Sequence, residues 1–206
     1  MTATLIRTSI DSKSDLQQII DSMLLAFSAD PLFRWVYPSD EQYLASFPGV
    51  VKLFINGRLE INCTKDLEGA DFWLPPEQEL DLDTFAAYMQ ETVSPQDLDK
   101  VAAVFEGMMQ AHPQVSHRYL ALLGVTTSKQ GRGYGTSLIE PTLLECDRTE
   151  EIIHLETCNP RSVAFYERHG FELQKTIQIA DCPVIFPMIR YPKNDVADQT
   201  LNIAIT

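Results

Sequence analysis

In the first third of the chain, segments whose apolar residues have helical spacing alternate with segments whose apolar residues have strand spacing. Residues 15–27 place their apolar side chains on one face of a helix. A second helical pattern is interrupted at Pro48-Gly49, where the proline predicts a split or a kink. The elements predicted here are a strand at 4–8, helices at 15–27 and from a cap at Ser39 or Asp40 towards Asn56, and antiparallel strands at 59–63 and 70–74 joined by a turn that contains Gly69.

Residues 75–115 carry two more helical patterns, which predict a helical pair inserted between the third and fourth strands. Ser94-Pro95 separates the two patterns and is expected to start the second helix. Their methionine and aromatic residues are more typical of core packing than of a substrate pocket. The patterns are centred on Phe85, Tyr88 and Met89 and on Val101, Val104, Phe105, Met108 and Met109.

A glycine-rich turn joins the most apolar strand to an amphipathic helix. Residues 119–125 are almost continuously apolar, as expected of a strand buried on both faces. Glycines at such a junction let backbone N–H groups point outward at a helix N-terminus, where the helix dipole favours an anion. The turn therefore predicts a phosphate or pyrophosphate site. The helix, which Pro141 is expected to kink, is indicated by Leu138, Ile139, Thr142, Leu143 and Cys146.

Three phosphate-binding patterns compete for this turn. A P-loop requires Gly-Lys-Ser/Thr, but Tyr134 follows Gly133. A Rossmann fingerprint requires a third glycine or alanine where Thr136 stands. The pattern that remains, Gln130-x-x-Gly133-x-Gly135, resembles the acyl-CoA-binding signature of the GNAT N-acetyltransferase superfamily.

A second motif strengthens this resemblance. Residues 152–157 predict a strand, after which Asn159 is an N-cap and Pro160 the first residue of a helix that Gly170 ends. In GNAT enzymes a strand-Asn-helix-Tyr-x-x-x-Gly-Phe sequence follows the pyrophosphate helix at about this distance. The wording of residues 155–171 most resembles the puromycin N-acetyltransferase-like branch, and the close match covers roughly residues 117–190. The matching positions are Asn159, Tyr166, Gly170 and Phe171.

The resemblance implies an α+β architecture with three α/β layers, the GNAT acyl-CoA N-acyltransferase fold. In this fold, helices flank a mixed, mostly antiparallel central sheet. Residues 1–206 are then a single GNAT N-acetyltransferase domain with a helical insertion at 75–115. A last strand pair is expected at 171–179 and 184–190. The tail 191–206 is expected to be loose or to dock as an edge strand through residues 201–205.

The resemblance also implies the reaction, in which an acetyl group moves from acetyl-CoA to a primary amine by direct attack in a ternary complex. The acceptor is expected to be a small molecule, and no metal is required. The glycine-rich turn would hold the pyrophosphate, and the main chain at Leu123 and Val125 would bind the pantetheine arm. The residues implied in acetyl-CoA binding are Leu123, Gly124, Val125, Gln130, Gly131, Arg132, Gly133, Tyr134, Gly135, Thr136, Asn159 and Tyr166.

Tyr166 and Glu156 are the catalytic candidates. The reference pKa of tyrosine, about 10, lies above the thiol value of about 8.5, so Tyr166 can protonate a departing thiolate; it can equally be a packing residue. Glu156, at the end of the fifth strand, is a candidate base or water-positioning group, or an ordinary strand-end charge. His117 is an alternative base, and Asn159 can bind the cofactor arm while it caps its helix. No His, Cys and Asp cluster shows metal-ligand spacing along the sequence.

Composition and charge limit the kinds of molecule that the protein is expected to bind. A chain of 206 residues with 45% apolar and 22% charged residues is expected to form one globular domain. The net charge of −13 argues against binding to nucleic acid or an anionic membrane. Four cysteines without C-x-x-C spacing, and no signal or membrane-length apolar run, predict a soluble cytoplasmic protein with reduced thiols.

Two questions stay open in the sequence. The insertion carries eight acidic residues and one lysine, a net charge of −7, which would favour a cationic amine if these acids face the site. The chain could instead be a catalytically silent acyl-CoA-binding regulatory domain, or an acetyltransferase of protein N-termini or lysines. A monomer and a homodimer are both compatible with the sequence.

Overall fold

A single seven-stranded sheet organises the part of the chain that the structure describes. The computed structural model describes residues 5–6, 12–57 and 59–193. The strand order is β1-β2-β3-β4-β5-β7-β6, and within the described residues only the β4–β5 pair is parallel. The strands are β1 (Leu5–Ile6), β2 (Glu60–Thr64), β3 (Gly69–Leu74), β4 (His117–Val125), β5 (Ile152–Thr157), β6 (Glu172–Leu173) and β7 (Phe186–Arg190).

Helices cover both faces of this sheet. Several begin at the caps that the sequence indicates: Ser39 forms a capping box with Gln42, and the Asn159 side chain accepts from the N–H of Arg161. The short helix α2 was not predicted, because its six residues are too few to show periodicity. The helices are α1 (Lys13–Ala26), α2 (Pro31–Val36), α3 (Asp40–Asn56), α4 (Leu82–Thr92), α5 (Leu98–Ala111), α6 (Tyr134–Thr149) and α7 (Pro160–Arg168).

Successive side chains of β3 enter hydrophobic clusters on opposite faces of the sheet. Phe72 is fully buried in a cluster with residues of α1 to α5, whereas Trp73 is fully buried in a cluster with residues of α6 and α7. The pleat of a β-strand requires this alternation. The inserted helices α4 and α5 therefore lie on the same face of the sheet as α1 and α3.

A β-bulge in β4 changes the face that its side chains meet. Phe72 pairs with Leu122, whereas the next residue, Trp73, pairs with Leu120, so Ala121 is an extra residue. Leu120 packs with α6 and α7, while Leu122 packs with the opposite cluster. In a regular strand these two leucines would share a face. The bulge therefore bends β4 and increases its twist at this point.

The parallel strands β4 and β5 pair over three residues only. His117, Arg118 and Tyr119 lie opposite Ile152, Ile153 and His154, respectively. Beyond these pairs, β4 continues to Val125 beside β3, and β5 continues to Thr157 beside β7. The facing edges of the two strands therefore part and leave a gap in the middle of the sheet.

Arg118 fixes the closed end of this gap. Its side chain is buried, its Nε donates to Glu151 Oε2 at 2.8 Å, and its Nη1 donates to Glu60. These bonds join β4 to β2 and to the residue that precedes β5. They raise the pKa of the Arg118 guanidinium although burial acts in the opposite direction, so its positive charge is retained.

Three expectations about these elements are wrong. β4 is not buried throughout: buried and half-buried residues alternate along it, and residues 119–125 line a cavity. Gly69 is the first residue of β3 and does not lie in the turn before it. The second inserted helix begins at Leu98, since the N–H of Asp97 bonds to Ser94 O and places Pro95 in a turn.

The end of the chain is described to residue 193. The last strand pair is shorter than expected: β6 and β7 pair over two residues, and Ile177 and Ile185 form an isolated bridge. The edge strand predicted at 201–205 lies outside the described residues. Among the helices that the structure describes, none combines the length and apolar character that crossing a membrane requires.

Helix α3 passes through Pro48 without interruption, contrary to the predicted split. The insertion accounts for Gly49. The Tyr88 hydroxyl, from α4, donates to Ser46 O at 2.7 Å, and a Cβ atom at Gly49 would overlap the Tyr88 ring. The absent side chain of Gly49 therefore lets α4 dock on α3.

Replacement of Gly49 by alanine tests this docking. We expect Gly49→Ala to destabilise the protein by ~1–3 kcal/mol, because the added methyl group displaces Tyr88. In a Tyr88→Ala background, the same change should stabilise by up to ~1 kcal/mol, since alanine is the better helix former. Urea denaturation of the four proteins measures both effects, and equal effects in the two backgrounds would contradict the contact.

Candidate active site

A cavity of about 500 Å³ fills the gap between β4 and β5. It is bordered by the open part of β4, by the end of β5 and by the first turns of α2 and α7. The cavity thus lies where the backbone edges of two strands have no strand partner. Seven of the residues predicted for the site line it, namely Leu123, Gly124, Val125, Gln130, Glu156, Asn159 and Tyr166.

The glycine-rich turn lies beside this cavity and meets it at Gln130. Gly131 and Gly133 have φ values of 70° and 83°, which favour glycine, and a Cβ atom at either would meet nothing within 4 Å. Gly133 is the N-cap of α6 and provides no side-chain cap. Since the first N–H groups of a helix need an external acceptor, this open N-terminus can hold an anion.

Tyr134 and Gln130 hold the turn in place through their side chains. The Tyr134 hydroxyl donates to Asp66 Oδ2 at 2.9 Å, and Lys129 Nζ lies 2.8 Å from the same oxygen. Burial raises the pKa of Asp66, but its hydrogen bonds, that of Lys129 first, outweigh burial and lower this pKa. Gln130 Nε2 donates to Val125 O at 3.0 Å. The predicted residues Arg132 and Thr136 are exposed and half-buried, respectively.

The two remaining predicted glycines are required for packing. A Cβ atom at Gly124 would lie 2.7 Å from Met23 Sδ and 2.9 Å from the Phe27 ring, because α1 packs directly on β4. A Cβ atom at Gly135 would lie 3.2 Å from the Phe165 ring of α7. Neither glycine therefore needs a ligand to account for it.

Tyr166 reaches the cavity from an apolar cluster. Its ring is 8% exposed and packs edge-on against Phe165 and Phe171, with ring centroids at 5.2 and 5.6 Å. Burial raises the pKa of Tyr166, and the charges of Asp71 and Asp30 raise it further. The hydroxyl therefore keeps its proton at neutral pH. The environment provides both the packing and the protonated state that the sequence left as alternatives.

Glu156 lies at the centre of a histidine cluster that the sequence did not reveal. Its Oε1 is 2.9 Å from His154 Nε2 and 3.4 Å from His112 Nε2, and its side chain is 1% exposed. His112 Nδ1 lies 3.0 Å from His117 Nε2. The Tyr119 ring packs on His112 and His154, at 4.7 and 6.0 Å between centroids.

Burial disfavours protonation of two imidazoles in the cluster, those of His112 and His117. Burial lowers the pKa of His112 to about 4, an effect that Glu156 opposes and that His154 and His117 reinforce. Burial also lowers the pKa of His117. The Tyr119 pKa is raised well above its usual value by burial and then by Glu156. Both His112 and His117 are therefore neutral at pH 7.

The fold brings together three groups of the types that bind metals. Among the described residues, His112, His154 and Glu156 each place one potential ligand atom within 4.8 Å of the others. However, a carboxylate only accepts hydrogen bonds, so the 2.9 Å contact with Glu156 requires a proton on His154 Nε2. That proton occupies the Nε2 lone pair, whereas His154 Nδ1 is buried and has no hydrogen-bond partner among the described residues.

A second cavity of about 210 Å³ adjoins the first. The two share five lining residues, and the smaller one is lined mainly by apolar side chains of α3, α4 and α5. Phe85, Phe105 and Met108 therefore border both cavities besides packing on the core, whereas sequence analysis favoured packing alone. The shared residues are Phe54, Phe85, Phe105, Met108 and Tyr119.

The acidic residues of the insertion do not form the walls of the main cavity. None of the eight lines it, and only Asp81 borders the smaller cavity. Seven of them, all except Asp97, are exposed. The acidic groups that do line the main cavity are Asp30 and Glu156. The proposed selection of cations by the insertion therefore lacks a structural basis, because its charges are screened by solvent.

Part of the chain is similar in sequence to known acetyltransferases. Residues 94–173 match the family model of the acetyltransferase (GNAT) domain. An uncharacterized N-acetyltransferase of Schizosaccharomyces pombe is 35% identical over 80 residues, which cover 37% of this chain and 32% of that protein. The match thus spans about a third of the length of this curated relative.

Solved structures resemble nearly the whole chain. The structure described as histone acetyltransferase HPA2 and related acetyltransferase from Corynebacterium glutamicum has a TM-score of 0.70 and 21% identity, over 95% of this chain and 99% of that one. PaiA N-acetyltransferase of Thermoplasma acidophilum, in complex with coenzyme A, has a TM-score of 0.55 and 12% identity, over 93% and 99%. The chain therefore has the GNAT fold, as the two motifs implied.

Proposed function

We propose that this chain is an acetyl-CoA-dependent N-acetyltransferase that acetylates a primary amine of a small molecule by direct attack in a ternary complex. One observation carries the proposal: the gap between β4 and β5 brings Gln130 of the glycine-rich turn, Tyr166 and Glu156 to one cavity. The acetyltransferase domain match and the coenzyme A complex of a fold neighbour support the choice of donor.

The chain offers acetyl-CoA a phosphate site and an open strand edge. The backbone N–H groups of residues 131–136 would bind the pyrophosphate, since the positive φ values of Gly131 and Gly133 leave the approach clear. The exposed Arg132 adds positive charge there. The open edge of β4 at Leu123 and Val125 would bind the pantetheine arm as an added strand does.

Tyr166 and Glu156 divide the proton transfers between them. The amine nitrogen attacks the thioester carbon, the C–S bond breaks, and Tyr166 protonates the sulfur. Glu156 removes the proton that the nitrogen loses. The high pKa of Tyr166 keeps its proton available until a thiolate forms. An N–H group on the open edge of β4 would stabilise the oxyanion.

The acceptor that fits this site best is an amine with an apolar body. The smaller cavity continues from the main one and is lined by groups such as Leu80, Phe85 and Phe105. Glu156 and Asp30 favour entry of the amine as a cation, which releases one proton to solvent before its nitrogen attacks. The resemblance of residues 155–171 to the puromycin N-acetyltransferase-like branch also supports a small-molecule acceptor.

The proposal extends to the location, partners and organisation of the protein. We propose a cytoplasmic enzyme with reduced thiols, because all four cysteines are buried and none belongs to a C-x-x-C pair. The net charge of −13 supports the absence of nucleic-acid and anionic-membrane partners. We propose that the chain is a single domain and that it exists as a monomer or a homodimer.

Release of coenzyme A thiol in the presence of different amines tests the function. Burial of a phenyl ring contributes ~1.5–3 kcal/mol, so kcat/KM for 2-phenylethylamine should exceed that for ethylamine roughly 10- to 100-fold. A lysine-containing peptide should react more slowly than either. Binding of acetyl-CoA without turnover of any amine would indicate a regulatory domain, and preference for the peptide a protein acetyltransferase.

Gly133→Val tests the phosphate site. The valine side chain would enter the open space in front of the α6 N-terminus, so we expect coenzyme A affinity to fall at least ~10-fold. Gly170→Val is the matched control, because Gly170 also has positive φ (88°) and its Cβ would approach no atom closer than 3.5 Å. Calorimetry that shows equal affinity in both variants would refute the phosphate site at this turn.

Tyr166→Phe tests proton delivery. The ring and its packing remain, while the hydroxyl is lost, so turnover should fall by roughly 10²–10⁴ with little change in acetyl-CoA affinity. Phe165→Leu serves as a packing control, since it disturbs the same cluster and leaves the hydroxyl. If Tyr166→Phe turns over at the wild-type rate while the chemical step is limiting, Tyr166 has a packing role only.

A further inference from the structure

Three of the four histidines in the chain surround Glu156. His112 follows the last residue of α5, His117 is the first residue of β4, and His154 lies on β5. The fourth, His169, bonds to Phe165 O beyond α7. The proposed function uses Glu156 and leaves the surrounding imidazoles without a role.

Hydrogen-bond partners fix the tautomer of His117. Its Nδ1 lies 2.8 Å from Val115 O, and because a carbonyl only accepts, Nδ1 carries the proton. A neutral imidazole has one N–H, so His117 Nε2 carries a lone pair and no hydrogen. His112 Nδ1, 3.0 Å away, must therefore donate to it.

The same reasoning fixes the tautomer of His112 and shows that no proton lies between His112 Nε2 and Glu156 Oε1. His112 is neutral, since burial lowers its pKa to about 4, and its Nδ1 already carries the proton. Its Nε2 is then a lone pair that faces Glu156 Oε1 at 3.4 Å. His154, whose ring centroid lies 4.6 Å from that of His112, donates to that same oxygen. Two acceptor atoms thus face one another, and one proton placed between them would be bound by both.

We propose that His112 and Glu156 together take up the proton that the acceptor nitrogen loses, and that His117 positions His112 for this by fixing its tautomer. This inference rests on the proposed function. Glu156 contacts the cavity and receives the proton, and His112 Nε2 shares it. The arrangement corresponds to other catalytic groups in which a third residue orients the base.

The step balances in protons and electrons. The nitrogen lone pair forms the N–C bond, and the C–S electron pair leaves on sulfur, which takes a proton from Tyr166. The nitrogen releases its proton to the Glu156–His112 pair. After product release, the pair returns a proton to water and Tyr166 regains one, so the enzyme is unchanged.

Nitrogen-15 NMR of the full chain at pH 7, without substrates, tests the arrangement independently of activity. We expect His112 and His117 as Nδ1–H tautomers and His154 as the Nε2–H tautomer. His117→Phe removes the acceptor that fixes His112, so the His112 signals should move towards the Nε2–H form. A wild-type His112 that is already Nε2–H would overturn the proposal, because it would then simply donate to Glu156.

Kinetics of His112→Gln test the role in turnover. Glutamine keeps the hydrogen-bonding capacity but cannot carry the proton, so kcat should fall roughly 10²-fold, with acetyl-CoA affinity unchanged. His169→Gln, outside the cluster, should keep wild-type kinetics. Wild-type protein that acetylates no amine would refute the proposed function itself. Active wild type with an equally active His112→Gln variant would refute this inference alone.

Discussion

The short pairing between β4 and β5 is the constraint on which the rest of the site depends. Backbone groups in a sheet are normally used by neighbouring strands, but here the two strands part after three residues and leave their facing edges available to a ligand. Arg118 holds the closed end through Glu60 and Glu151. The bulge at Ala121 bends β4 just beyond the last pair, where the cavity begins.

Tyr166 and Glu156, the two groups proposed for proton transfer, lie in different environments. Tyr166 lies among aromatic rings and near acidic charges, both of which oppose ionisation and keep its proton in place. Glu156 lies near His112 and His117, two imidazoles that burial keeps neutral and that can therefore take part in the proposed proton uptake. Such a difference in environment is what the proposed acid and base need in order to operate at the same pH.

The insertion contributes in a way that its charge did not indicate. Its acidic residues face water, whereas its apolar residues Phe85, Phe105 and Met108 line the two cavities. Its last helix ends at His112, which lies 3.4 Å from Glu156. The insertion thus contributes to the walls of both cavities and completes the histidine cluster. It is anchored by Tyr88, which docks where α3 has Pro48-Gly49.

Sequence alone determined those features that depend on neighbouring residues. Periodicity placed α6 and its buried face, Asn159 was recognisable as a cap, and the glycines at 131 and 133 indicated an open helix N-terminus. These signals are local, because caps, turns and helix faces are set by residues within a few positions of one another.

Tertiary structure alone decided the features that join distant residues. His112 and His154 reach Glu156 only because α5 ends beside the β4–β5 pair, and no spacing along the chain shows this. The outward direction of the acidic residues, the continuity of α3 at Pro48 and the bulge at Ala121 likewise follow from packing between elements. Burial and hydrogen bonds then set the proton positions, since pKa values respond to neighbours in space and not to neighbours in sequence.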